Sequence, residues 1–255
     1  MPSPIPKTNE ISQELTSRLD SGVTLQPMEF RRFVREIEKI KDCREHDYLM
    51  ALVNAANGAH DVALEWFQKA LKHKEPIIAE NYLVYLIKSH RHLEYVRESL
   101  SLAREYPGSI DINDKAFEGR LLLCDINGIE ETSKKLISML PREESEVIME
   151  NASLAINRSR NFVANAGMED SDLVALNELL LKISGQANAS PTNLDFFSMT
   201  EEGTNSIICS VDTNDADLLS EMNFNLAMSI ADSDRFVGKK FSSWFRGSRE
   251  QNDNK

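Results

Sequence analysis

Apolar side chains recur along most of this 255-residue chain at intervals of three and four, the spacing that lines one side of an α-helix. Ile11, Leu15 and Leu19 open the series, and Gly22 stops it. A second run starts at Pro27, where a missing N–H costs nothing in the first turn, and carries Phe30, Phe33, Val34, Ile37 and Ile40. The same pattern predicts helices over His46–Asn57, Ala63–Leu71, Ile77–Lys88, around Val96–Ala103, over Asp114–Ile126 and over Glu130–Leu140. Asn57-Gly58, Pro76, Pro107-Gly108, Asn127-Gly128 and Pro141 punctuate them. Helices over Glu143–Phe162 and Asp170–Ile183 follow.

Beyond Gly185 the pattern changes. Residues 186–192 read as a linker, followed by short apolar runs over Leu194–Met199 and Ser206–Asp212, separated by Thr200–Gly203, which predict a β-hairpin. Asp215–Ala231 is amphipathic, and Lys239–Gly247 reads as a third strand. The expected organisation is a proline-rich tail over 1–8, a helical domain over 9–185, the linker over 186–192, a small α+β domain over 193–247 and a tail over 248–255.

The helices also repeat as pairs. Ala63, Phe67 and Ala70 recur as Val96, Leu100 and Ala103 after 33 residues and as Thr132, Leu136 and Met139 after a further 36. A period near 34 residues marks a solenoid of helix pairs, none of which can bury its apolar side alone. Gly58, Ala63, Phe67 and Ala70 resemble the second half of a tetratricopeptide repeat: a turn glycine, a small residue, an aromatic and an alanine. The resemblance is good for one repeat and fair for the next, while Thr132 and Met139 depart from it. It implies a mainly α fold, a right-handed helical-hairpin solenoid, to which the small α+β domain read from the C-terminal pattern is appended. It also implies that first helices line a partner-binding groove, which by position comprises Tyr48, Leu52, Asn81, Tyr85, Lys88 and Phe117. Tyr48 and Leu52 stand where the family's carboxylate clamp has Lys and Asn, which argues against a ligand held by its C-terminal carboxylate.

Composition narrows the function classes. The net charge of −12 disfavours nucleic acid as the principal ligand, because both parts of the chain, divided near residue 190, are acidic. Cys43, Cys124 and Cys209 are odd in number and far apart, which fits a reducing, cytoplasmic setting better than a disulfide framework. No window approaches the apolar length of a membrane span. Cys43 with His46, and His90 with His92, make at most half of a zinc site, so no metal is expected. Asp212–Asp217 lacks the glycine and glutamate of a calcium loop and reads as a helix cap. No nucleotide loop or serine elbow occurs, and neither an enzyme nor a cofactor is expected. From Arg235 to Arg249 run five bases, four aromatics and no acid; Lys239, Lys240, Trp244 and Arg246 form a candidate basic-aromatic contact or the surface of a last strand. The function expected is a non-catalytic protein-binding adaptor, with self-association through the C-terminal domain as a further contact. An immunity or antitoxin-like inhibitor masking a basic partner such as a nuclease is the alternative.

Overall fold

The computed structural model describes residues 7–199 and 204–248. Thr200–Gly203 and the tails lie outside these residues, except that Lys7 and Thr8 already begin the first helix and Ser248 follows the last strand. Among the described residues the fold is mainly helical, with eleven α-helices and one three-stranded sheet near the C-terminus. The chain divides into two compact units, Met1–Tyr85 and Leu86–Lys255.

The first unit holds α1 (Lys7–Ser21), α2 (Pro27–Ile37), α3 (Cys43–Ala56), α4 (His60–Leu71) and most of α5 (Pro76–Lys88). Helix α3 is its centre and packs on α1, α2 and α4. Its start is set by Asp42, whose side chain accepts from Arg44 N at 2.9 Å and so satisfies one of the free N–H groups of the first turn. Ala63, Phe67 and Ala70 of α4 are fully buried. The Phe67 ring lies 5.5 Å from that of Tyr82 and 5.2 Å from that of Tyr85, both on α5, so one aromatic ties these two helices together.

The second unit contains α6 (His92–Glu105), α7 (Ile110–Leu123), α8 (Ile126–Ile137), α9 (Arg142–Ala166), α10 (Asp170–Gln186), β1 (Pro191–Met199), β2 (Thr204–Val211), α11 (Ala216–Ala231), a 3-10 turn over Asp234–Phe236, and β3 (Ser242–Gly247). Gly119 lets α7 press against α6, since a Cβ there would stand 3.0 Å from Ser99 Oγ and 3.5 Å from Val96 Cα. Helix α7 stops at Cys124, which takes a left-handed conformation (φ 53°). Asp125 then caps α8 by accepting from Gly128 N at 3.0 Å and pairs with Arg120. Asn127-Gly128 therefore lies in the first turn of α8 instead of separating two helices.

β1 and β2 form the expected antiparallel hairpin, and β3 joins β2 in parallel after the α11 crossover, giving the order β1-β2-β3. Asp215 caps α11, accepting from Asp217 N and Leu218 N. One face of the sheet, including Phe196, Ile207, Cys209, Val211 and Phe245, packs with Phe162 and Ala166 of α9, Leu173, Leu176 and Leu180 of α10, and Met222 and Leu226 of α11. Three short strands and one helix enclose too little apolar surface to stand alone, so the sheet shares a core with helices placed earlier in the chain. Residues 186–192, read as a linker, pass directly from α10 into β1. Asn223 of α11 holds the outer side of β3: Phe245 N donates to its Oδ1 (2.6 Å) and its Nδ2 donates to the Phe245 carbonyl (3.1 Å).

Candidate binding cleft

A cleft of about 690 Å³ opens in the second unit, within the 300–1,000 Å³ range common for binding sites. Three segments distant in sequence build it. Glu118, Leu121 and Leu122 come from the last turns of α7, with Cys124 just beyond; Asn151, Ala155, Arg158 and Ser159 come from α9; Pro191, Thr192, Asn193, Leu194 and Phe196 come from β1. Helix α9 starts after Pro141, with Glu143 and Glu144 favourably placed against its dipole, and ends at Gly167 (φ 66°). Ala152, Ser159, Phe162 and Ala166 form its buried stripe. Val147, Asn151, Leu154 and Arg158, spaced four, three and four, form an adjacent exposed stripe, two of whose members, Asn151 and Arg158, line the cleft.

The cleft is lined by apolar residues, among them Leu121, Leu122, Leu194 and Phe196, interleaved with polar ones. Glu118 is already engaged, accepting from Tyr95 Oη at 2.8 Å and from Lys115 Nζ at 2.9 Å. Arg158 is exposed and has no ion-pair partner among the described residues. Ser159 is 1% exposed, and its Oγ, beside the Cys124 thiol, has no hydrogen-bond partner of good geometry. Burial pushes the Cys124 thiol up to about 12, opposed only in part by the neighbouring Ser159 and Asn177 side chains. Burial likewise raises Cys209 to about 12, with a contribution from the nearby Cys124. A thiol in that state is a poor nucleophile at neutral pH.

The residues singled out in the sequence fall elsewhere. Leu52, Tyr85 and Phe117 are buried and belong to the cores of their units. Tyr85, 4% exposed, stacks on Phe67 and meets His60 Nδ1 through its hydroxyl at 2.8 Å, so packing takes the surface that a groove would offer. Tyr48 is half-buried. Asn81 donates to the Ile77 carbonyl, and Lys88 is exposed. Of the basic-aromatic set, Lys239 donates to Gly167 O and pairs with Asp172, Arg246 pairs with Asp195, and Lys240 and Trp244 are exposed. His90 Nδ1 meets Ser190 Oγ at 3.1 Å and His92 Nε2 donates to Ala189 O at 3.1 Å, so both rings are engaged in holding the approach to β1. Gly185 serves the same junction, because a Cβ there would lie 2.5 Å from His90 O. His46 joins a cluster around Asp47, and Cys43 is exposed. Among the described residues no helix is long and apolar enough to cross a membrane.

Arg158, Ser159 and Asn151 were not singled out. The small buried residues of α9 signal a close approach to a neighbour, but nothing in the sequence marks Arg158 among the chain's many surface bases. Comparison with protein-family models, curated proteins and solved structures gave no match.

Proposed function

We propose that the chain is a non-catalytic binding protein that holds a segment of a partner protein in the cleft between α7, α9 and β1. The observation that carries this reading is an open cleft whose lining is more apolar than polar, with a free guanidinium at Arg158. That combination suits a chain segment with both apolar and polar groups. Support for a role without chemistry comes from the high thiol pKa of Cys124 and from Ser159, which has no base within hydrogen-bond reach. A right-handed, tetratricopeptide-like stacking of the helical hairpins belongs to the same proposal. Its supports are the fully buried Ala63, Phe67 and Ala70 and the tight α6–α7 approach at Gly119. The three free cysteines suit a cytoplasmic setting.

The test is site-specific photo-crosslinking in cells, with a benzophenone amino acid at Asn151 and a control at the exposed Asn225 of α11. One protein should be captured from Asn151 and not from Asn225, and Leu121→Arg should abolish its capture. Equal capture at both positions, or none, refutes the reading.

A second reading, an inhibitor covering a basic partner, is favoured by the carboxylates of α6 and α7. Burial and neighbouring acids hold the Glu98 and Asp114 carboxyls above their ordinary values, with Glu94 acting on Glu98 and Glu118 and Asp111 acting on Asp114. A basic partner that relieves this crowding would bind more weakly as salt rises.

A further inference from the structure

Helix α2 carries its charges unevenly. Phe33 and Ile37 turn into the core of the first unit. Ion pairs with α1 match two of its charges: Arg32 meets Glu14 at 2.9 Å, and Glu29 meets Arg18 at 2.7 Å. The outward side is different. Successive residues of a helix are turned by about 100°, so Met28, Arg35 and Lys39 fall between Arg31 and Arg32 around the axis. All five side chains are exposed, and no acid falls among them; Glu36 and Glu38 border the sector. A crevice of about 280 Å³ opens among Met28, Arg31, Arg32, Arg35, Glu36 and Lys39.

Arg31, Arg35 and Lys39 have no ion-pair partner among the described residues. They follow one another at intervals of four, and like charges so placed weaken a helix unless an anion offsets them. The row is about 12 Å long, at about 1.5 Å per residue. Residues on one side of an extended chain stand about 6.8 Å apart, so three acids at alternate positions cover a similar length.

We propose that this side of α2 docks an extended, acidic segment of a partner protein, whose carboxylates pair with Arg31, Arg35 and Lys39. The surface is separate from the cleft and does not depend on the reading given to it. Charge complementarity carries the assignment, and the other anionic partners fit less well. A membrane surface takes up apolar side chains, and Met28 is the only one in the sector. A nucleic acid would bring further phosphates against a chain of net charge −12. A short acidic segment ends within the row, and at physiological salt charges more than about 8 Å away are largely screened.

The test uses the full chain, a fluorescein-labelled ten-residue peptide of alternating Glu and Ser, and fluorescence anisotropy at low salt. The peptide should bind, its Gln/Ser counterpart should not, and affinity should fall as salt rises. Arg35→Glu should weaken binding by about tenfold or more and leave circular dichroism unchanged. Arg142→Glu, at an exposed base of α9, should leave binding unaltered. Arg31→Glu/Arg35→Glu should instead bind a Lys/Ser peptide. Because Arg31 and Arg35 are exposed, loss of fold does not confound these variants. No binding of the Glu/Ser peptide, or equal weakening by Arg35→Glu and Arg142→Glu, overturns the proposal. Tighter binding of phosphatidylserine vesicles or of a twelve-nucleotide single-stranded DNA, lost in Arg31→Glu/Arg35→Glu, assigns the surface to a membrane or a nucleic acid and also overturns it.

Discussion

Replacing Asp47 removes the centre of a charge cluster that fastens α3 to α4. The residue is 3% exposed. Its Oδ1 accepts from Lys69 Nζ at 2.7 Å and meets His46 Nδ1 at 3.1 Å, while Oδ2 meets His73 Nε2 at 3.0 Å. The cover is thin, consisting largely of the side chains that bind it, and Lys69 is half exposed. The lysine bond therefore belongs to the surface range, about 0.5–1 kcal/mol. The two histidine contacts add about 1 kcal/mol each. Asp47→Ala should cost the first unit about 2–3 kcal/mol, and Asp47→Asn, which keeps the shape and loses the charge, about 1–2 kcal/mol.

The pH dependence has a definite sign. Burial pushes the Asp47 carboxyl up, but hydrogen bonds from Lys69, His73 and His46 together outweigh it and hold the group below its ordinary value of 3.8. A carboxyl with a depressed folded pKa stabilises fully above its unfolded value, and that stability is lost as pH falls through the folded one. The gap between wild type and Asp47→Asn should therefore close as pH falls below the ordinary carboxylate range. Urea unfolding read by Trp66 fluorescence in a Trp244→Phe background measures it. Trp66 lies beneath Lys69, with Nζ 4.3 Å from the ring centre, so the signal comes from the cluster itself. An Asn variant as stable as wild type at pH 7, or a gap that persists undiminished once the carboxylate range has been passed, would refute the reasoning.

Tyr85→Ala should lower the thermal midpoint of the first unit, since it removes a buried ring stacked on Phe67 and its bond to His60; a loss of about 3–5 kcal/mol is expected, and an unchanged circular-dichroism melt would contradict it. Of the three thiols, the exposed Cys43 should react with an aromatic disulfide reagent at pH 8 in the folded chain, and Cys124 and Cys209, raised to about 12, only after denaturant is added. Three fast thiols in the native chain would show that the burial is wrong. Asn223→Ala should cost the second unit about 1–3 kcal/mol by stranding two backbone groups of β3, measured by urea unfolding followed at Trp244.

The elements were largely legible in the sequence because each carries a period of its own. Ile11, Leu15 and Leu19, or Leu218, Met222 and Leu226, need no knowledge of what they face in order to mark a helix. Partners are another matter. Phe162 and Leu176 read as the apolar sides of two helices, and nothing in their spacing says that a sheet further along the chain will share their core. Tyr85 looked like a groove residue by position, yet Phe67 and His60 claim its ring and hydroxyl. The cleft was least legible of all, since its walls come from three separate segments and Arg158 resembles any solvated base. Its shape is a property of contacts, which a single sequence does not display.

The amide of Asn223 bears on assembly as well as on folding. A sheet with two open sides is a growing unit: each copy added leaves another vacancy, and association runs on towards fibres. Here one side ends in a side chain that offers one N–H and one C=O and then turns back into its own helix. A second copy that paired through its own β1 would leave only amide-capped β3 edges, so pairing of that kind would stop at two chains.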